Sequence, residues 1–196
     1  MNKLTDEQLF ELFQNGDNKA FDQIVLRYKD KLYTFLYMIV GDYDLAQDLA
    51  QDTYLRIFKN KNSYNKMSAK FSTWMYTIAK NGAFTELRKK KRRKTYAVSE
   101  VRKKGNDGED YEFQIPDLSE RDLESKMMTE YKRESIQSAL SQLKQDFRTI
   151  IILRDIQELS YDHISRIVEV PIGTVKSRIN RAREKLLELL KGKDLI

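Results

Sequence analysis

Apolar residues recur at intervals of three and four along most of this chain, the spacing that places them on one face of an α-helix. Thr5-Asp6-Glu7-Gln8 has the form of a capping box, with Leu4 and Leu9 as its hydrophobic staple. The helix it opens is expected to bury Leu9, Leu12 and Phe13 and to stop at Gly16. Phe21, Ile24, Val25, Tyr28, Leu32, Phe35, Leu36 and Ile39 form the stripe of a second helix, ended by Gly41. A third runs from about Asp42 through DLAQDLAQDTYLRIFKN. After a polar loop near 60–70, a fourth covers Phe71 to Arg93.

The pattern then lapses. RKKKRRK at 88–94 is seven consecutive bases, and between Gly105 and Ser125 eight acids stand against Arg121 alone. Gly105, Gly108 and Pro116 fall in that stretch, which reads as a flexible acidic linker over about 96–130. Helical spacing returns with Ile136, Ala139, Leu140 and Leu143, then Phe147, Ile150, Ile151 and Ile156. Ser160 can cap a short helix carrying Ile164, Ile167 and Val168, which Glu169-Val170-Pro171 breaks. The expected fold class is all-α. Two helical domains, 1–95 and 131–196, are joined by the linker, and the second ends in a helix-turn-helix.

Composition sharpens this picture. Only 2 Pro and 7 Gly punctuate 196 residues, which favours long helices. The net charge of +6 is modest, so its distribution matters more than its sum. No cysteine is present, which removes disulfides, thiolate metal sites and thiol nucleophiles. No apolar run reaches signal-peptide or membrane-spanning length, so a soluble cytoplasmic protein without membrane insertion is expected.

The last helix carries the clearest chemistry. In VPIGTVKSRINRAREKL, Val175, Ile179, Ala182 and Leu186 make one face. Gly173, Lys176, Ser177 and Asn180 lie roughly opposite, where their side chains can donate to base edges in a major groove. Arg178, Arg181 and Arg183 flank them, placed to meet phosphates. A solvated basic helix docking on an acidic protein fits the same periodicity.

LSYDHISRIVEVPIGTVKSRINRAREKL resembles the fourth conserved region of bacterial sigma factors of the extracytoplasmic-function group. DLAQDLAQDTYLRIF followed by FSTWMYTIAKNGAFTELRKKKRR resembles their second region. The resemblance covers about 20–94 and 132–190, in the family's order. It implies a dissociable subunit that binds core RNA polymerase and directs promoter recognition, melting and initiation. Asp48, Gln51, Asp52, Tyr54, Leu55 and Phe58 would dock on the clamp helices of the largest catalytic subunit, and the second domain on the flap of the second largest. Gly173, Thr174, Lys176, Ser177, Arg178, Asn180, Arg181 and Arg183 would read the double-stranded minus-35 element. Asn62, Tyr64, Asn65 and Lys70 match the loop that captures a flipped base of the minus-ten element. Lys80, Asn81, Arg88, Lys89 and Arg92 would hold the melted strand. Trp74 has the spacing of a core residue, and the linker would thread the polymerase cleft. An anti-sigma inhibitor masking these surfaces is a further expected partner.

Five positions depart from the family pattern. Thr85 replaces an Asp, Lys144 a Pro, Glu158 a Gly, His163 a Glu and Ser165 an Ala. Thr85 raises the alternative of promoter recognition aided by a separate DNA-bound recruiting protein. A second alternative is a helix-turn-helix regulator acting without polymerase. No catalytic residue, metal site or cofactor is expected. The chain has no Gly-rich phosphate loop, no nucleophile–base arrangement and no carboxylates at metal-ligand spacing.

Overall fold

In the computed structural model, residues 4–100 and 134–191 are described, with side chains up to residue 93 in the first stretch. The acidic linker expected at 96–130 lies almost wholly outside these residues. Every described element is helical. Helices α1 (Asp6–Gln14), α2 (Asn18–Val40), α3 (Tyr43–Lys59) and α4 (Phe71–Glu100) build the first half. A short helix α5 (134–142), then α6 (Gln145–Ile151), α7 (Tyr161–Val168) and α8 (Ile172–Lys191) build the second.

Local signals set the boundaries. Thr5 and Gln8 close a reciprocal capping box on α1. Asp17, Asp42 and Ser160 cap α2, α3 and α7 through their side chains. Gly41 ends α2 in the left-handed conformation, φ 71°. The first turn of α4 is held from outside, its Phe71 N–H donating to Glu7 Oε1 at 3.2 Å. Beyond α6 the helix widens into π-type turns over Ile152–Ile156, and the chain then passes through Glu158 at φ 57°. A glycine suits that conformation better, which gives a physical reason for the family's preference there.

The stripes pack much as their spacing predicts. Leu32, Phe35, Leu36 and Ile39 are fully buried against Tyr76 and the rest of α4, and Val175, Ile179 and Ala182 against α6 and α7. On α1 the buried set is Leu9, Phe10 and Phe13, while Leu12 is 40% exposed. Phe10 wins because its ring meets Tyr64, Phe71 and Trp74, with centroids 4.9 to 5.6 Å apart. Ile136 and Ile156, expected inside, are also partly exposed. The two halves are not separate bodies: their buried residues form one continuous cluster, and α4 packs directly on α7.

Candidate functional site

Three surfaces carry the residues singled out above. The first is the helix-turn-helix. Glu169 ends α7 at φ 58°, and Ser165 Oγ donates to the Val170 carbonyl at 2.6 Å, fixing the turn into α8. Ser165 therefore has a structural use that the Ala common in the family could not supply. With Val175, Ile179 and Ala182 inside, the opposite side of α8 presents Gly173, Lys176, Ser177, Asn180 and Arg181 to solvent. Thr174 is half-buried, and its carbonyl accepts from Ser177 Oγ. A Cβ on Gly173 would meet nothing within 4 Å, so the glycine leaves a gap for an approaching partner rather than relieving a clash. Arg178 and Arg183 are held by acids, at 3.3 Å from Asp146 and through two bonds to Asp155. The Asp155 bond raises the Arg183 pKa.

The second surface joins α4 to the loop before it. Asn62, Asn65 and Lys70 are exposed, as are Asn81, Arg88, Lys89 and Arg92. Tyr64 is buried: its ring packs among Phe10, Phe71 and Trp74, and its hydroxyl donates to the Ala69 carbonyl at 3.0 Å. Its place in the loop is that of an internal post. Asn65 shapes the turn as well, its Oδ1 accepting from Met67 N–H. That turn holds Met67 outward, 87% exposed. Trp74 is half-buried, in line with its core spacing. Thr85 Oγ1 donates back to the Asn81 carbonyl within α4. Lys80 is almost entirely covered, a point taken up below.

Residues that the periodicity did not single out brace this loop. Gln14 Nε2 donates to the carbonyls of Lys61 and Tyr64, at 2.7 and 3.1 Å. Lys61 donates to the Phe13 carbonyl and sits over the Phe13 ring, and Lys66 pairs with Glu11 at 2.8 Å. These pairings join residues about fifty positions apart, beyond the reach of any local spacing rule.

The third surface lies on α3. Asp48, Gln51, Leu55 and Phe58 are exposed along one side, with Leu55 at 56% and Phe58 at 46%. Phe58 is seated on Phe13 and Phe21, while Asp52 pairs with Arg56 at 2.7 Å. The Tyr54 hydroxyl is buried without a hydrogen-bond partner among the described residues, and burial raises its pKa. His163, the single histidine, is pushed below its ordinary pKa by burial and then by Lys70. Among the described residues no group of three or more potential ligands could hold a metal ion. No helix among them is long and apolar enough to cross a membrane.

A helix-turn-helix with an open polar face, a basic helix beside a braced loop, and a separate acidic–apolar stripe define a protein built to dock on nucleic acid and on a protein partner. Two family models match these parts in order: sigma-70 region 2 over residues 24–93 and sigma-70 region 4 over residues 133–186. The chain is 37% identical over 179 residues to the ECF RNA polymerase sigma factor SigW of Bacillus subtilis, covering 91% of this chain and 92% of that one. It is 36% identical over 184 residues to the RNA polymerase sigma-H factor of Pseudomonas aeruginosa, covering 92% and 91%. The sigma factor RpoE of Bartonella quintana, solved in complex with the anti-sigma factor NepR, superposes with a TM-score of 0.64 at 29% identity, over 88% of this chain and 98% of that one. The chain belongs to the ECF RNA polymerase sigma factors. Its function is accordingly promoter recognition and transcription initiation.

Proposed function

We propose that this chain reaches its promoters through the three surfaces described, each with a separate task. The α3 stripe of Asp48, Gln51, Asp52, Tyr54, Leu55 and Phe58 docks on the clamp helices of core RNA polymerase. A mixed acidic and apolar strip suits a groove with a basic rim. The exposed face of α8 reads a duplex minus-35 element through Lys176, Ser177 and Asn180, with Arg178, Arg181 and Arg183 on phosphates. The loop from Asn62 to Lys70 and the polar side of α4 take the melted minus-ten strand. Domain limits of 1–95 and 131–196 fit these tasks. The chain contributes no catalytic group of its own and works in the cytoplasm, where the polymerase is.

The observation that carries this reading is the exposure of Leu55 and Phe58 beside Asp48 and Gln51, on an element apart from both DNA faces. A helix-turn-helix regulator acting alone would have no use for it. An anti-sigma factor is a further partner, since RpoE of Bartonella quintana was solved with one.

The test is transcription from fragmented genomic DNA by sigma-free core polymerase, with and without this chain, reading RNA 5′ ends. Discrete new starts sharing two upstream motifs are expected, and Leu55→Arg should abolish them. Core binding without specific starts would point to a DNA-bound recruiting partner, as Thr85 suggests. Failure to bind core would overturn the reading.

A further inference from the structure

Among the described residues Lys80 is the one charged side chain that is buried, at 7% exposure. An ammonium so far from water must be neutralised where it lies. The groups that do this belong to the other half of the chain. Lys80 Nζ donates to the Ile167 carbonyl at 2.6 Å and lies 3.3 Å from Glu169 Oε1. Ile167 is in the last turn of α7, where helix carbonyls lack intrahelical partners, and Glu169 is the left-handed residue that ends it. Region 2 thus caps a helix of region 4.

The converse also holds. Arg148 and Gln137 donate to the carbonyls of Ile39 and Tyr37, at 2.8 and 3.3 Å, in the last turn of α2. Gln157 completes the seam from the middle: its Oε1 accepts from Tyr76 at 2.6 Å and its Nε2 donates to the Lys31 carbonyl at 3.2 Å. Arg166 donates to the Ser68 carbonyl at 3.1 Å. Directional bonds at every point along the contact make this one specific arrangement rather than an unspecific collapse.

What the seam covers is selective. Ser68, Ala69, Trp74 and Thr77, from the loop and α4, face Glu169 and Pro171 across a groove of about 590 Å³. The α3 stripe and the α8 face both stay open. We infer that the closed chain can engage core polymerase and duplex DNA while it withholds the minus-ten surface, with Lys80 latched under α7. Opening of the α4–α7 seam is then a separate step that precedes capture of the melted strand. The Ile167 carbonyl and the Glu169 carboxylate give Lys80 the acceptor oxygens that a phosphate would give it, so closure and strand binding compete for the same ammonium. The inference rests on the reading of α4 and its loop as the minus-ten surface.

Apparent affinity for the withheld ligand falls in proportion to the open fraction, so a chain nine-tenths closed binds it about tenfold more weakly. Because the chain has no cysteine, two can be introduced for specific labelling, at the exposed positions Gln23 on α2 and Glu184 on α8. The opening variant combines Gln157→Ala with Glu169→Gly. It removes the acceptor for Tyr76 and one acceptor for Lys80, and glycine suits the left-handed turn, so α7 still ends properly. Energy transfer between the two dyes reports closure. Binding of a random pool of single strands of roughly ten nucleotides reports the α4 surface, and titration with core polymerase reports α3.

The opening variant should lose energy transfer and gain about tenfold in single-strand affinity, with core affinity unchanged. Lys80→Ala should cancel that gain. Undiminished energy transfer, or opening without a gain while Lys80→Ala still weakens strand binding, overturns the latch and leaves the minus-ten reading intact. If Lys80→Ala changes strand binding in neither background, it is the minus-ten reading of α4 that fails.

Discussion

Arg148 of α6 donates to the main-chain carbonyl of Ile39 at 2.8 Å, across 109 residues of chain. The same guanidinium donates to the carbonyls of Ser141 and Leu143, so one side chain ties the end of α2 to the α5–α6 turn. Burial pulls its pKa down, yet these carbonyls favour the charged form at neutral pH. Arg148→Met keeps the apolar stem and removes the donors. It should cost about 2 kcal/mol, the scale of a partly buried charged hydrogen bond. Urea unfolding is the check: the midpoint should fall with little change in slope, and an unmoved midpoint would mean that the bond contributes nothing net.

Leu55→Ala separates partner binding from folding. The side chain is 56% exposed, so its truncation should leave the thermal midpoint nearly unchanged. Affinity for core polymerase should fall roughly tenfold if Leu55 anchors the interface. Binding of duplex DNA through α8 should not change. Equal losses for polymerase and for duplex DNA would argue that α3 is not a separate docking face.

On α8, two substitutions should behave differently. Arg181→Ala removes a charge near the backbone, so affinity should weaken similarly on every sequence and the salt dependence should drop by about one ion. Lys176→Ala should cost about 1–3 kcal/mol on the preferred minus-35 element and much less elsewhere. Salt titrations on specific and scrambled duplexes distinguish the two. Identical behaviour of both variants would deny α8 a base-reading face.

The fold should also weaken at alkaline pH. Burial, with Glu7 and Asp6 nearby, pushes the Tyr64 phenol up to about 12, whereas an unfolded tyrosine ionises near 10. Between those values the unfolded chain releases a proton that the native one keeps. Stability from this residue is therefore complete below pH 10 and is lost as pH rises toward 12. Tyr64→Phe cannot ionise, so its denaturation midpoint should fall less steeply across that window. At neutral pH the variant should be slightly less stable, having lost the bond to Ala69. A parallel fall in both proteins would show that other groups govern the alkaline limit.

The helices were legible because their evidence is local. Caps at Thr5, Asp42 and Ser160 sit beside the apolar spacings they introduce, and the structure places helix starts there. Faces were harder. Leu9, Leu12 and Phe13 fit a helical stripe as well as Leu9, Phe10 and Phe13 do, and only the ring stack on Phe71 decides between them. The exposed candidates on α8 followed from the position of their apolar stripe. Tyr64 and Lys80 could not be placed that way, because a partner far along the chain sets the depth of each. Lys80 answers to Ile167, 87 residues away, and Tyr64 to the rings of α1 and α4. The bracing by Gln14 was invisible for the same reason.

The widened turns over Ile152–Ile156 hold one more residue than a regular helix of the same rise would need. Such a widening is the mark a single inserted residue leaves in a helix. Deleting one residue there would restore ordinary pitch and swing everything beyond it by about 100°. Gln157 would turn away from Tyr76, and α7 would meet α4 in a different phase. The fit between the two halves therefore depends on chain length at this point as well as on side chains. Indels in these five residues, more than substitutions, are the changes through which related chains would gain or lose the closed form.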